Sequence, residues 1–149
     1  MKSENEVLLH TCCTPCLIKC EEVLAEEGIK TSLFWYNPNI HPWTEYNSRK
    51  KTLLQFANEK NLKIILNDKY GMRDFIKSIY PNFSSERCKY CYETRLEETA
   101  KTAVLNSYKY FSTTLLISPY QNHDLIKNLA ENIANKYSVK FLYRDFRPF

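Results

Sequence analysis

Five of the six cysteines in this chain of 149 residues fall into two short motifs. The first motif, C-C-x-x-C, contains Cys12, Cys13 and Cys16, and the second, C-x-x-C, contains Cys88 and Cys91. Thiolates are soft ligands that bind iron–sulfur clusters or zinc, and a tetrahedral all-thiolate site would leave one of these sulfurs over. The motifs therefore predict a metal site, with room for a cluster beside a second metal ion or for a free reactive thiol.

Two other interpretations use the same sulfurs. A structural zinc ion would take these ligands without any reaction, and a thiol–disulfide oxidoreductase would need only one C-x-x-C pair. Cys20 lies one turn after Cys16, on the apolar side of its predicted helix. Cysteine is among the most frequently buried residues, so Cys20 is expected in the core.

Alternating apolar runs and amphipathic stretches predict the elements that carry these motifs. Strands are predicted at 7–10, 31–36, 62–66, 110–117 and 140–143, and helices at 15–27, 42–58, 72–80, 84–106 and 121–136. Strands that alternate with helices indicate a parallel sheet covered on both faces. The expected fold is an α/β, Rossmann-like (HUP-type) three-layer sandwich with a five-stranded, mainly parallel sheet, in a single domain over residues 1–149.

Ligands of such folds bind outside the carboxyl ends of the strands, which directs attention to residues 10–16, 37–42, 118–123 and 144–147. Cys12 and Cys13 follow the first strand, and Cys16 falls in the first turn of the next helix. Free N–H groups and the positive end of a helix dipole favour thiolates there. In the predicted helix 84–106, the i, i+3 spacing places Cys88 and Cys91 on one face.

Composition limits the remaining classes. The only glycines, Gly28 and Gly71, cannot form a dinucleotide fingerprint or a P-loop, so no nucleotide cofactor is predicted. The formal charge of +4 is compatible with a nucleic-acid partner. The N-terminal MKSENEV lacks the apolar core of a secretory signal, and no run approaches the roughly 18 apolar residues of a membrane span. A cytoplasmic protein without a membrane partner is expected.

Five successive blocks cover nearly the whole chain: LLHTCCTPC, FWYNPNIHPWTEY, ERCKYCYETRLEETA, FSTTLLISPYQNHDLI and FLYRDFRP. In this order they resemble the QueH family of epoxyqueuosine reductases. The combination of C-C-x-P-C with C-x-x-C-Y-x-x-R-L is far more specific than either motif alone. Many members of that family continue with a further segment that contains a C-G-C element, which is not found up to Phe149.

The resemblance implies a cobalamin-independent reductase that converts epoxyqueuosine to queuosine at the wobble position of tRNA, with electrons from an external donor. It further implies a 4Fe–4S cluster held by cysteines and a carboxylate, beside an additional iron. The ligand positions carried over are Cys12, Cys13, Cys16, Cys88 and Cys91. Asp145 is the expected carboxylate, and a salt bridge to Arg144 or Arg147 is its alternative role.

Removal of an epoxide oxygen as water also requires a proton donor. The candidates are His10, His41 and His123, because histidine titrates in the useful range. His123 and His41 rank above His10, whose strand position predicts burial, and each has a structural role as its alternative. The catalytic centre is accordingly expected to include Cys12, Cys13, His123 and Asp145. The hydroxyls of Thr113, Thr114 and Ser118 are candidates for hydrogen bonds to substrate or to cluster sulfides, although threonine is also an ordinary strand residue.

An RNA-binding surface is predicted near the same crevice. Stacked aromatic rings and phosphate-binding cations commonly hold single-stranded RNA loops. The candidates are Tyr36, Trp43, Arg49, Lys50 and Lys51, whereas Trp35 is expected in the core. A charged run can equally be a solvated helix face. A zinc-stabilised tRNA-binding module without catalysis is the alternative function.

Overall fold

The computed structural model describes residues 5–12, 14–37, 43–67, 85–117 and 122–146, with residues 85–91 described as helical backbone. The strands are β1 (Glu6–His10), β2 (Lys30–Trp35), β3 (Ile64–Leu66), β4 (Tyr110–Thr113) and β5 (Lys140–Phe141). The helices are α1 (Thr14–Glu26), α2 (Trp43–Lys60), α3 (Ser85–Leu105) and α4 (His123–Tyr137), and a 3-10 helix (Thr114–Ile117) follows β4.

The five strands form one sheet in the order β3-β2-β1-β4-β5, and every pairing is parallel. In the centre, Leu8 pairs with Ser32 of β2 on one side and with Phe111 of β4 on the other. The predicted α/β fold is confirmed. Because the chain leaves β1 toward β3 and later returns to β4, the topological switch point lies between β1 and β4, where ligands of such sheets bind.

Helices cover both faces of the sheet. Right-handed crossovers place α1 and α2 on one face and α3 and α4 on the other. In agreement, α1 packs against α2 and β2, while α3 packs against α4 and β1. Every residue of β1 is buried, as a central strand between two helical layers requires. Trp35 and Cys20 are fully buried, which confirms their predicted core positions.

The four helices end in different ways. Helix α1 ends at Glu26, and Gly28 just after it has a φ of 77°, the left-handed conformation that glycine commonly adopts after a helix. The residues that follow α2, α3 and α4 with positive φ are Asn61, Ser107 and Ser138. The Ser138 N–H bonds the carbonyl of Ala134. With so few glycines in the sequence, short polar residues take the left-handed position.

The largest departure from the sequence-based expectation is at β4. The predicted strand 110–117 ends at Thr113, and a 3-10 helix takes its second half. The cause is local, because the Thr113 hydroxyl accepts the N–H of Leu115 at 3.2 Å and so closes a turn that competes with the sheet ladder.

Smaller differences concern other ends. Strand β3 begins at Ile64 instead of residue 62, and β5 ends at Phe141 instead of residue 143. The predicted helix 72–80 lies outside the described residues. Within the part of the chain that is described, no helix has the length and apolar composition needed to cross a bilayer.

Candidate functional site

A buried histidine joins the carboxyl ends of the three central strands. His10 is fully buried at the end of β1. Its Nδ1 lies 3.0 Å from Thr113 Oγ1 of β4, and its Nε2 lies 3.0 Å from Asn37 Oδ1 and 3.2 Å from the Tyr36 carbonyl oxygen. Both partners of Nε2 are acceptors, so Nε2 carries the hydrogen and Nδ1 accepts from the Thr113 hydroxyl. The tautomer thus follows from the hydrogen bonds.

The network continues to the backbone before the first cysteine. Asn37 Nδ2 donates to the carbonyl oxygen of Thr11 at 3.0 Å. The Thr11 N–H donates to the carbonyl oxygen of Phe34, also at 3.0 Å. Asn37 and Thr11 are both fully buried. The peptide that leads into Cys12 is therefore fixed from two sides before the chain reaches the motif.

His10 is held in its neutral form. Burial, and after it the nearby positive charge of Arg95, lower the pKa of His10 from 6.5 to about 4, against the opposing influence of Cys12. The burial predicted for His10 is confirmed. A neutral imidazole with both nitrogens engaged suits a structural junction better than proton delivery to a substrate.

Cys12 lies just outside this network, at the switch point between β1 and β4. The N–H of Cys12 donates to Thr114 Oγ1 at 3.2 Å, and its sulfur lies 3.3 Å from the same oxygen. Cys12 is half-buried, and so is Cys16 in the first turn of α1. Both thiols are thus close enough to the surface to be reached by a metal or a substrate. Cys13 lies outside the described residues.

The surroundings of these two thiols fit a bound metal or cluster. The first turn of α1 has no acidic residue, so its positive dipole end favours thiolates. Thr14, between the two cysteines in sequence, is 8 % exposed, and its buried hydroxyl has no hydrogen-bond partner in the part of the chain that the structure describes. A thiolate or sulfide would supply the missing acceptor. Among the described residues no three His, Cys, Asp or Glu form a metal-binding group; the side chains of Cys13, Cys88 and Cys91 are not among them.

Helix α3 carries the second motif and packs against β1, the strand that precedes the first motif. Its backbone is helical through positions 88 and 91. Arg95, one turn after Cys91, is 7 % exposed, and its charge acts on His10. The residue pattern did not indicate a role for Arg95, although it stands in the C-Y-x-x-R-L block. A buried arginine whose charge acts on His10 adds positive charge to this end of the sheet, which favours anionic sulfur.

Tyr92, also in that block, connects α3 to the start of α4. Its hydroxyl oxygen accepts the N–H of Asn122 at 3.3 Å, and Tyr92 is 4 % exposed. Asn122 caps α4, because its Oδ1 accepts the N–H of Leu125 at 3.1 Å. His123, the first residue of α4, is buried beside this junction. The predicted proton donor is thereby tied to the helix of the second motif.

The other predicted residues of the centre lie in other segments of the chain. Asp145 is exposed in the segment after β5. Arg144, its possible salt-bridge partner, donates from Nε to Glu27 at 2.8 Å. The role of Asp145 as a ligand stays a prediction. His41, Ser118 and Arg147 lie outside the described residues.

The predicted RNA-contact residues lie on and before α2. Trp43 exposes 51 % of its surface and stacks on Tyr46, whereas Tyr36 is 8 % exposed. Lys51 is exposed, and Arg49 and Lys50 are half-buried.

Arg49 faces the first cysteine helix across a cleft of about 370 Å³, whose walls include Thr14 and Pro15 of α1 and Glu45 and Ser48 of α2. The Arg49 guanidinium is paired with Glu45 at 2.6 Å. The cleft therefore brings Arg49, one of the predicted phosphate-binding cations, beside the first cysteine motif, and Glu45 neutralises part of its charge.

The chain is similar over most of its length to one known protein family. A family profile described as "Epoxyqueuosine reductase QueH" matches residues 7–149. The chain belongs to the QueH family. The region of the match includes all five motif cysteines.

Three QueH relatives that carry the name epoxyqueuosine reductase show how far the likeness extends. The protein of Dehalococcoides mccartyi is 37 % identical over 142 residues, which are 95 % of this chain and 78 % of the relative. Those of Staphylococcus epidermidis and Thermotoga maritima are 35 % and 34 % identical, again over 95 % of this chain and over 64 % and 74 % of their own lengths. The chain thus spans between about two thirds and four fifths of these QueH proteins.

Proposed function

We propose that this chain reduces epoxyqueuosine to queuosine in tRNA, in the cytoplasm, with a 4Fe–4S cluster and an additional iron. The observation that carries the proposal is the family match over residues 7–149, which contains both cysteine motifs. The fold supports it in two ways. The first motif follows the central strand at the switch point of the sheet, and α3, which bears the second, packs against that same strand.

Cys12, Cys13, Cys16, Cys88 and Cys91 would hold the metal centre, with Asp145 as the proposed carboxylate ligand. When bound, the cluster and iron would supply single electrons and a Lewis-acidic position for the epoxide oxygen. The overall reaction takes two electrons from an external donor and two protons, releases the oxygen as water and leaves a carbon–carbon double bond.

The chain's own residues have separable tasks. The His10, Asn37 and Thr113 network holds the peptide before Cys12, so the first thiolates keep one geometry. Arg95 adds positive charge that favours anionic sulfur and an oxygen that gains negative charge. His123 is the proposed proton donor, and the junction of Tyr92 with Asn122 holds it beside α3.

Substrate binding is assigned to the surface around α2. Trp43 would stack on a base of the anticodon loop, with Tyr36 as a second proposed aromatic contact, while Arg49, Lys50 and Lys51 bind phosphates. Trp43→Ala and Lys51→Ala should each weaken tRNA binding several-fold. Lys60→Ala, an exposed change at the other end of the same helix, is the matched control and should leave affinity unchanged. Equal affinity in all three variants would remove this surface from the proposal.

Metal content provides the first test of the reaction. Protein purified without oxygen should be brown and contain iron and acid-labile sulfide. Zinc in place of iron and sulfide, in a colourless protein, would instead support the zinc-stabilised tRNA-binding module. The loaded protein with dithionite and tRNA that contains epoxyqueuosine should yield a nucleoside lighter by one oxygen. A loaded protein that leaves this nucleoside unchanged would contradict the reductase assignment.

Two cysteine variants provide the matched control. Cys12→Ala should lose conversion and most of the bound iron, because Cys12 lies at the switch point. Cys20→Ala changes a fully buried cysteine of the same region, in α1, and should keep both. Loss of iron in both variants would indicate general unfolding, which circular dichroism of the metal-free proteins detects independently.

A further inference from the structure

The hydroxyl of Thr114 forms hydrogen-bond contacts with two atoms of Cys12. Its oxygen lies 3.2 Å from the backbone nitrogen of Cys12 and 3.3 Å from the sulfur. Thr114 is fully buried and begins the 3-10 helix after β4. Cys12 and Thr114 are distant in sequence, so the contact exists only because β1 and β4 are neighbours in the sheet.

The direction of the two hydrogen bonds follows from donor and acceptor counts. The Cys12 N–H can only donate, so the hydroxyl oxygen accepts there. Among the described residues, the only hydrogen-bond partners of the Thr114 side chain are these two atoms of Cys12. The hydroxyl hydrogen therefore has the sulfur as its acceptor. A buried hydroxyl that donated to nothing would carry the cost of an unmade hydrogen bond.

We infer that Thr114 is a positioning residue that donates a hydrogen bond to the sulfur of Cys12 in its metal-bound, deprotonated state. The inference rests on the proposed function only for the identity of the metal centre. A thiolate bound to iron has no hydrogen of its own, so the hydroxyl is the donor in that state. Hydrogen bonds to ligand sulfurs stabilise the reduced, more negative form of a cluster and raise its reduction potential.

The break in β4 makes this contact possible. In a continuing strand, Thr113 and Thr114 would point to opposite faces of the sheet. Because the strand ends at Thr113, the two adjacent hydroxyls contact two neighbouring positions near the end of β1. Thr113 bonds His10, and Thr114 bonds Cys12. Thr114, just after β4, thus holds Cys12 both through the main-chain N–H and through the sulfur.

The first experiment needs no metal. In metal-free protein labelled with ¹⁵N-cysteine, hydrogen exchange of the Cys12 amide should be roughly three- to tenfold faster in Thr114→Val than in wild type. Thr114→Ser, which keeps the hydroxyl, should restore slow exchange. Thr31→Val is the matched control and should leave exchange of the Cys12 amide unchanged, because Thr31 is a buried strand threonine whose hydroxyl has no hydrogen-bond partner among the described residues. Unchanged exchange in Thr114→Val would show that Thr114 does not position Cys12 through its main chain, whatever metal the protein binds.

The second experiment uses the iron-loaded protein. The midpoint potential of the cluster should shift to more negative values in Thr114→Val and stay at the wild-type value in Thr114→Ser and Thr31→Val. The iron–thiolate stretching frequencies in resonance Raman spectra should change in Thr114→Val alone. A wild-type cluster whose potential and spectrum do not respond to Thr114→Val would refute the sulfur hydrogen bond. A wild type that binds no cluster would refute the proposed function instead, with the amide result still standing.

Discussion

Replacement of His10 with phenylalanine should remove the junction of the three central strands. Phenylalanine fills a similar volume, so the loss is of polar contacts and not of packing. The Thr113 hydroxyl loses its acceptor and Asn37 Oδ1 loses its donor. Each buried polar group left without a partner costs about 1–3 kcal/mol. The free energy of unfolding of the metal-free protein at pH 8 should therefore fall by about 4 kcal/mol.

The pH dependence provides a second signature of His10. Burial lowers its pKa to about 4 in the folded chain, against 6.5 as its ordinary value. Between these values the unfolded chain binds more protons, so stability is full above pH 6.5 and decreases as the pH falls toward 4. At pH 5 this one group should have lowered the free energy of unfolding by about 2 kcal/mol. Because phenylalanine does not titrate, the difference in the free energy of unfolding between wild type and His10→Phe should be smaller at pH 5 than at pH 8 by that amount.

Urea unfolding of the metal-free proteins at pH 8 and pH 5 measures both quantities. Fluorescence of Trp35, which is fully buried and donates to the Tyr46 hydroxyl, reports the loss of the core. His10→Gln serves as a second non-titrating variant that keeps some hydrogen bonding, in case His10→Phe leaves too little folded protein. Two results would refute the reasoning. One is a decrease in the free energy of unfolding of less than about 1 kcal/mol for His10→Phe. The other is a difference in this free energy between wild type and variant that is the same at both pH values.

Three further predictions concern other parts of the fold. Thr31→Val should raise the free energy of unfolding by about 1 kcal/mol in urea titrations, because it removes from a strand a buried hydroxyl that has no hydrogen-bond partner among the described residues. A lower free energy of unfolding in the variant would contradict this. Asn122→Ala should cost about 1 kcal/mol and speed hydrogen exchange of the Leu125 amide, which its side chain caps. Hydrogen bonds from Tyr137 and Lys136 lower the pKa of Glu97, so Glu97→Gln should destabilise the protein at pH 7. That difference should vanish as the pH falls through the lowered pKa, because wild-type Glu97 is then also neutral; a difference that persists in acid would show that charge is not its cause.

Hydrophobic periodicity was sufficient to predict the layers and the sheet. The apolar runs around Leu8 and Phe111 indicate strands buried on both faces, and the amphipathic stretches between strands indicate crossover helices. The end of β4 could not be predicted in this way. The run after Thr113 is mostly apolar, and the strand ends where the Leu115 N–H donates to the Thr113 hydroxyl. Such a local competition between side chain and ladder leaves no trace in hydrophobicity.

The position of the first cysteine motif could be predicted from the sequence, but the residues that hold it in place could not. Sulfur spacing is visible in a sequence, and the strand-to-helix junction places Cys12 and Cys16 at a ligand-binding edge. The roles of Asn37, Tyr92 and Arg95 depend on which elements become neighbours. Asn37 reaches His10 across a strand pair, and Tyr92 reaches Asn122 across a helix pair. Contacts between distant segments follow from the sheet order, which the residue types do not determine.

Helix α3 is a single rod whose sulfur-bearing end depends on packing far along its length. Ala100 and Ala103 are fully buried where the later turns of this helix meet the rest of the fold. A bulkier side chain at either position would tilt the helix. Because a helix rises roughly 1.5 Å per residue, a small tilt there would displace the backbone at positions 88 and 91. A random-mutation screen for loss of the proposed iron binding should therefore recover substitutions at these buried alanines, which are not ligands themselves, as well as substitutions of the cysteines.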